Sequence, residues 1–388
     1  MRAGHGTAWL VAALIAMICP SRVSCGEDPA QPAAPSATAA APSQKSPDTN
    51  AFTFVRPIAS VAEFDDVRFK SMSAINLSKL PGLPATLWFN EKTVWPGADK
   101  MPGACDPRKI MTQAMNPGLG IRDLHQHGIT GKGVSVAIID QPLYSDHPEF
   151  QGKIVAYHDV GCASDSSMHG PAVASLLVGS HCGTAPDARL YYVAAPSWTG
   201  DTQFYAQALD WLIQKNETLP ASEKIRVVSV SAAPSGPGSL FKKNLDMWDV
   251  ACARAESNGI MVLDCTMHRG FIAPCYYDLA DPENVANCKA GFPGMRGKAD
   301  SNRLLVPCSP RTTAEEYDPG QCSYQYCGRG GLSWSIPYCA GVLALGWQLR
   351  PDLTAAQMKE SLFHSAFITH DGARIINPGE FIRLIKSR

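Results

Sequence analysis

Residues 134–140 read Val-Ser-Val-Ala-Ile-Ile-Asp, an almost continuous apolar run rich in β-branched side chains. A strand with one wet face alternates apolar and polar residues. A run that is apolar on both parities suits a strand covered on both faces, as in a parallel sheet between helices. Lys153–His158, Leu190–Ala194, Arg226–Ser231 and Ile260–Leu263 read as further strands. Thr202–Lys215 sets Tyr205, Leu209, Trp211 and Leu212 along one side of a helix, and Asn244–Ser257 is a helix stopped by Asn258-Gly259. Tyr338–Leu349 and Ala355–Phe363 are also helical in pattern. Strands alternating with helices across short loops predict an α/β fold, a mostly parallel central sheet flanked by helices.

The chain upstream is organised differently. Ala8–Ile18 is an unbroken apolar run behind Arg2, followed by Val23-Ser24-Cys25. It is too short to span a bilayer and has the flanks of a secretory signal peptide, so residues 1–25 are expected to be removed. A lipid anchor at Cys25 is disfavoured because Arg22 stands where such a signal wants an apolar residue. Residues 26–49 are Pro/Ala/Ser-rich, bury too little to offset their ordering entropy and act as a linker. Residues 50–115 carry scattered aromatics and prolines without periodicity, and read either as a removed pro-segment or as an arm on the main domain, 116–388. No later apolar run approaches the ~18 residues of a spanning helix. Lys and Arg (34) balance Asp and Glu (35), leaving no field that would attract nucleic acid or an acidic membrane surface. The chain has 13 cysteines, and removing Cys19 and Cys25 with the signal leaves 11. An extracytoplasmic location would permit disulfide bonds. Cys322 with Cys327 is one candidate; either with Cys275, Cys288 or Cys308 is another; Cys162 and Cys182 are a third. An odd count leaves at least one thiol free or in an intermolecular bond.

Three segments carry chemistry. Asp140 ends the apolar run, where ligand crevices open in parallel sheets. His169 stands in Met168-His169-Gly170-Pro171, at the start of a small-residue helix. Ser333 stands in Gly331-Leu332-Ser333-Trp334-Ser335-Ile336-Pro337, just before a helix expected to begin near Pro337. In this order the segments resemble the subtilase family of serine proteases, and the resemblance covers roughly residues 116–388. It implies a subtilisin-like fold with Asp140, His169 and Ser333 as a catalytic triad. Ser333, not Ser335, keeps the family's spacing to the proline. In such a triad the imidazole takes the serine proton and the carboxylate holds the ring's tautomer and stabilises its cation.

The departures from the family pattern are specific. Gln141-Pro142 follows Asp140, Pro171 and Leu332 replace small hydroxylated residues, and His268 falls where the family has its oxyanion-binding asparagine. Ser231, Ala232 and Ala233 fall on the family's substrate-binding edge, where an extended peptide adds as a strand. The expectation is a secreted or extracytoplasmic serine endopeptidase acting on peptides or proteins through an acyl-enzyme. The alternative is a catalytically impaired, peptide-binding protein on the same fold. No cofactor is implied, and no run of carboxylates in the sequence marks a metal site.

Overall fold

The computed structural model describes residues 55–164, 166–297, 300 and 302–388. The expected signal peptide and linker lie outside the described residues. The apolar run forms β2 (Ser135–Asp140), every residue of it buried. Four strands join it in parallel: β3 (Ile154–Asp159), β4 (Arg189–Ala194), β5 (Ile225–Val230) and β6 (Met261–Asp264), in the order β3-β4-β2-β5-β6. β3 is an edge strand and alternates between half-buried and exposed.

Because side chains alternate across a strand, β2 feeds both layers. Val136 and Ile138 pack with α1 (His169–Val178) and α4 (Leu332–Leu349) on one face. Ala137 and Ile139 pack with α2 (Thr202–Thr218) and α3 (Asp246–Ser257) on the other. Each fully buried Leu or Ile in these layers contributes about 1.5–3 kcal/mol relative to exposure. Helix α4 is buried continuously from Trp334 to Trp347, as an all-apolar helix must be. It starts at Leu332, not near Pro337, so Pro337 lies inside it.

After β6 the chain builds two further sheets, one of six strands and one of three. β7 (Ile272–Tyr276) lies between antiparallel β8 (Lys289–Phe292) and parallel β9 (Leu304–Ser309). β10 (Arg311–Glu316) and β11 (Cys322–Cys327) form an antiparallel hairpin. The free edge of β11 pairs with β1 (Trp88–Asn90) from the N-terminal segment, Tyr326 opposite Phe89. That segment has its own core of Val67, Met72, Leu77, Leu87 and Phe89, closed by Tyr326 of the hairpin. Residues 55–115 thus pack on the main body through a shared sheet.

The eleven described cysteines are all free thiols. The expected Cys322–Cys327 bridge is excluded by strand geometry. The two residues end the same strand, about 16 Å apart at ~3.3 Å per residue, against a disulfide limit of about 7 Å between Cα atoms.

Candidate active site

β2 and β5 are neighbours in the sheet, and the chain turns to opposite sides beyond them. Their carboxyl ends therefore flank the crevice where α/β folds bind ligands. Asp140 ends β2 and is buried, and its Oδ1 accepts the Gln141 N–H at 2.8 Å. His169 opens α1, whose first N–H groups, those of His169 and Gly170, donate to Ser167 Oγ at 3.2 and 3.1 Å. The helix start lies tight against the chain leaving β2. A Cβ on Gly170 would stand 2.3 Å from Gln141 O and 2.7 Å from Tyr192 Oη. Only glycine allows this approach, which brings His169 Nδ1 to 2.6 Å from Asp140 Oδ1. The carboxylate accepts, so Nδ1 carries the proton and Nε2 is left as the basic nitrogen. Burial pushes the His169 pKa down, but the charge and hydrogen bond of Asp140 outweigh it and hold the ring above its ordinary value.

Ser333 sits in the first turn of α4, where backbone N–H groups have no partner within the helix. Pro337, four residues on, has no N–H to return to the Ser333 carbonyl. The hydroxyl of Ser231, just past β5, takes that place and donates to Ser333 O at 2.8 Å. In return Ser333 Oγ donates to Ser231 O at 3.3 Å. This reciprocal pair ties the end of β5 to the first turn of α4. Ser335 points elsewhere: it is fully buried and donates to Val306 O on β9. Of the two serines beside Pro337, only Ser333 faces the crevice.

Asp140, His169, Ser333, Ser231 and Ala232 line one cavity of about 220 Å³. Trp334 stacks on His169 with centroids 5.4 Å apart. Ala233 is buried beside the cavity without lining it. Phe64, Thr86 and Trp88 of the N-terminal segment complete the wall, with Arg329 stacked over Phe64 at 5.1 Å. Sequence reasoning missed these residues. Nothing in isolated aromatics among prolines marks them as cavity walls, and the only signal was the clustering of Trp88 and Phe89 in a short apolar run.

His268 is not brought to the cavity. Its ring lies over Gly236, where a Cβ would be 2.4 Å from Nδ1, and its Nε2 is 3.0 Å from both carboxylate oxygens of Asp249 on α3. A ring anchored in that way cannot also donate into the crevice. His268→Ala is therefore expected to change peptide turnover by less than about threefold, against the roughly 10²–10³-fold loss of a true oxyanion donor. Steady-state rates of the two proteins check this. His147 is also structural: fully buried, it donates from Nε2 to Ser323 O at 2.9 Å and accepts the Glu149 N–H on Nδ1.

Residues 131–287 match the model of the subtilase family. The chain is 26% identical over 276 residues to the serine protease AprX of Bacillus subtilis, covering 60% of this chain and 61% of that one. It is also 26% identical over 257 residues to subtilisin E of the same organism, covering 63% of each. In these matches the chain is similar to the subtilase family. Among solved structures, the chain superposes on the subtilase cytotoxin SubAB with a TM-score of 0.53 at 16% identity, covering 70% of this chain and 95% of that chain. It superposes on the prenylagaramide maturation protease PagA with a TM-score of 0.50 at 17% identity, covering 69% and 99%. At those identities the superpositions speak for the subtilisin-like α/β fold alone. The chain spans about six-tenths of the length of the curated relatives it matches.

Proposed function

We propose that this chain is a subtilase and works as an extracytoplasmic serine endopeptidase with Ser333 as nucleophile, His169 as general base and Asp140 as the residue that orients the imidazole. The observation that carries the reading is the convergence of the three side chains on one cavity, with the His169–Asp140 bond at 2.6 Å. The Ser333 hydroxyl turns from Ser231 O toward His169 Nε2 and gives up its proton as it attacks a peptide carbonyl. The imidazolium then protonates the leaving amine, and water hydrolyses the acyl-enzyme by the same relay. The oxyanion is met by the Ser333 backbone N–H and the positive end of α4. Phe64 and Trp88 stay in place as a permanent wall of the substrate cleft. The extracytoplasmic location rests on the pattern of residues 1–25, and among the described residues no helix is long and apolar enough to cross a membrane.

Incubation with casein tests this function. New amino termini should appear with the wild-type chain, and their absence with folded, mature protein overturns the reading. A second reading, peptide binding without turnover, draws on the Ser333 hydroxyl being held by Ser231 O. It predicts casein binding with no new termini.

The pH dependence follows from the Asp140 charge. Neutral His169 is the active base, so the rate should rise with pH along a limb centred above an ordinary histidine's value. The protonated pair is the more stable one, so its contribution to stability is full at low pH and is lost as pH rises through that same raised value. In Asp140→Asn the charge is gone and burial alone remains. The limb should then move to lower pH, while the rate falls by about 10⁴-fold. Rate profiles of both proteins check the direction.

A further inference from the structure

A group of side chains outside the active-site cavity has the composition of a cation site. Asp146 lies in the loop that follows β2. Glu316 ends β10 and Cys322 begins β11, directly opposite it in the hairpin register. One carboxylate oxygen from each acid and the Cys322 sulfur all lie within 4.8 Å of one another. Asp146 is exposed, Cys322 is half-buried and Glu316 is only 4% exposed. Two backbone groups orient the acids: Tyr144 N–H donates to Glu316 Oε2 at 3.0 Å, and Gly320 N–H donates to Asp146 Oδ2 at 2.7 Å. The other oxygen of Glu316, Oε1, is buried and has no hydrogen-bond partner. Among the described residues no lysine, arginine or histidine forms an ion pair with Asp146 or Glu316.

A buried carboxylate oxygen without a partner is costly, and two acids beside a thiol repel one another once ionised. A divalent cation removes both penalties together. The donor set narrows the choice of ion. Calcium and magnesium take oxygen ligands, often six or more, whereas a thiolate with two carboxylates suits a borderline-soft ion of low coordination number. We propose that Asp146, Glu316 and Cys322 bind a zinc-type divalent cation, with water completing the shell.

The site would fasten two parts of the molecule that carry the cleft. Asp146 belongs to the loop leaving Asp140, and the hairpin of Glu316 and Cys322 carries β1 of the N-terminal segment on its far edge. The cation would therefore clamp the wall containing Trp88 to the loop beside the triad. The inference stands independently of whether Ser333 is catalytic. The sequence alone did not show the site, because its ligands come from segments far apart in the chain.

The test uses the full chain, freed of metal under reducing conditions and titrated with Co²⁺, Zn²⁺ or Ca²⁺ alone. Co²⁺ should bind one per chain with a thiolate charge-transfer band, and Zn²⁺ should displace it. Cys322→Ser should abolish the band, Glu316→Gln and the exposed Asp146→Asn should each weaken binding by about tenfold or more, and Cys105→Ser and Cys162→Ser should leave it intact. Zn²⁺ should also raise the unfolding midpoint of the wild type and not of Cys322→Ser. Three results would each overturn the proposal: no thiolate band, a band that survives in Cys322→Ser, or Ca²⁺ as the only ion bound.

Discussion

Ser333→Ala should reduce peptide hydrolysis by on the order of 10⁶-fold, the scale seen when the nucleophile of a serine–histidine relay is removed. The fold should survive the change. Ser333 is half-buried, and the hydrogen bond lost with its hydroxyl goes to Ser231 O, next to the cavity, where water can replace it. The bond in the opposite direction, from Ser231 Oγ to Ser333 O, involves only the backbone of residue 333 and persists. The expected result is therefore an unchanged unfolding midpoint with only a residual turnover, roughly 10³–10⁴-fold above the uncatalysed rate, left by binding and the oxyanion site. A modest loss of rate with intact folding would mean that the serine does not carry the chemistry. Ser335→Ala differs in kind: it removes a hydroxyl that satisfies Val306 O in the core, so it should lower stability by about 1–3 kcal/mol and act on rate only through that loss.

The second large effect concerns the N-terminal segment. Trp88 is 8% exposed, donates from Nε1 to Gln325 Oε1 at 2.8 Å and carries the Arg68 guanidinium 3.7 Å above its ring. Its strand closes the edge of β11. Trp88→Ala should cost about 3–5 kcal/mol as a large-to-small change in a packed site, out of the roughly 5–15 kcal/mol typical of a whole domain. Calorimetry of the mature chain should show an unfolding midpoint lower by roughly 10 °C. The cleft wall goes too, so KM should rise along with the loss of stability. A mature Trp88→Ala protein that melts like the wild type would mean that residues 55–115 do not remain on the body. A mature amino terminus near residue 100–115 would mean the same.

The central strands were legible because a double-sided apolar run such as Val134–Asp140 has few other solutions. The resemblance singled out Asp140, His169 and Ser333, and the physical reason that they line one cavity lies in particular residues: Gly170 lets α1 approach β2, and Pro337 frees the carbonyl that Ser231 captures. The start of α4 was misread because Pro337 suggested a first-turn position, whereas a tertiary partner satisfies the carbonyl that a proline in the helix interior leaves open. His268 was aligned by counting from a strand, and counting does not say which way a ring points; Gly236 and Asp249 decide that. Cys322 and Cys327 looked like a loop pair until the strand between them set them apart. The N-terminal wall was illegible for another reason. A single short strand added to a distant hairpin leaves no periodic trace in its own segment.

Labelling with a fluorophosphonate tests the central claim most directly. The reagent reacts with a serine only when a neighbouring base and an oxyanion site activate it. The folded mature protein should take up one equivalent, located on Ser333 by peptide mass spectrometry, and both Ser333→Ala and His169→Ala should abolish the uptake. Folded protein that stays unlabelled, or that carries its label on another residue, would contradict the account.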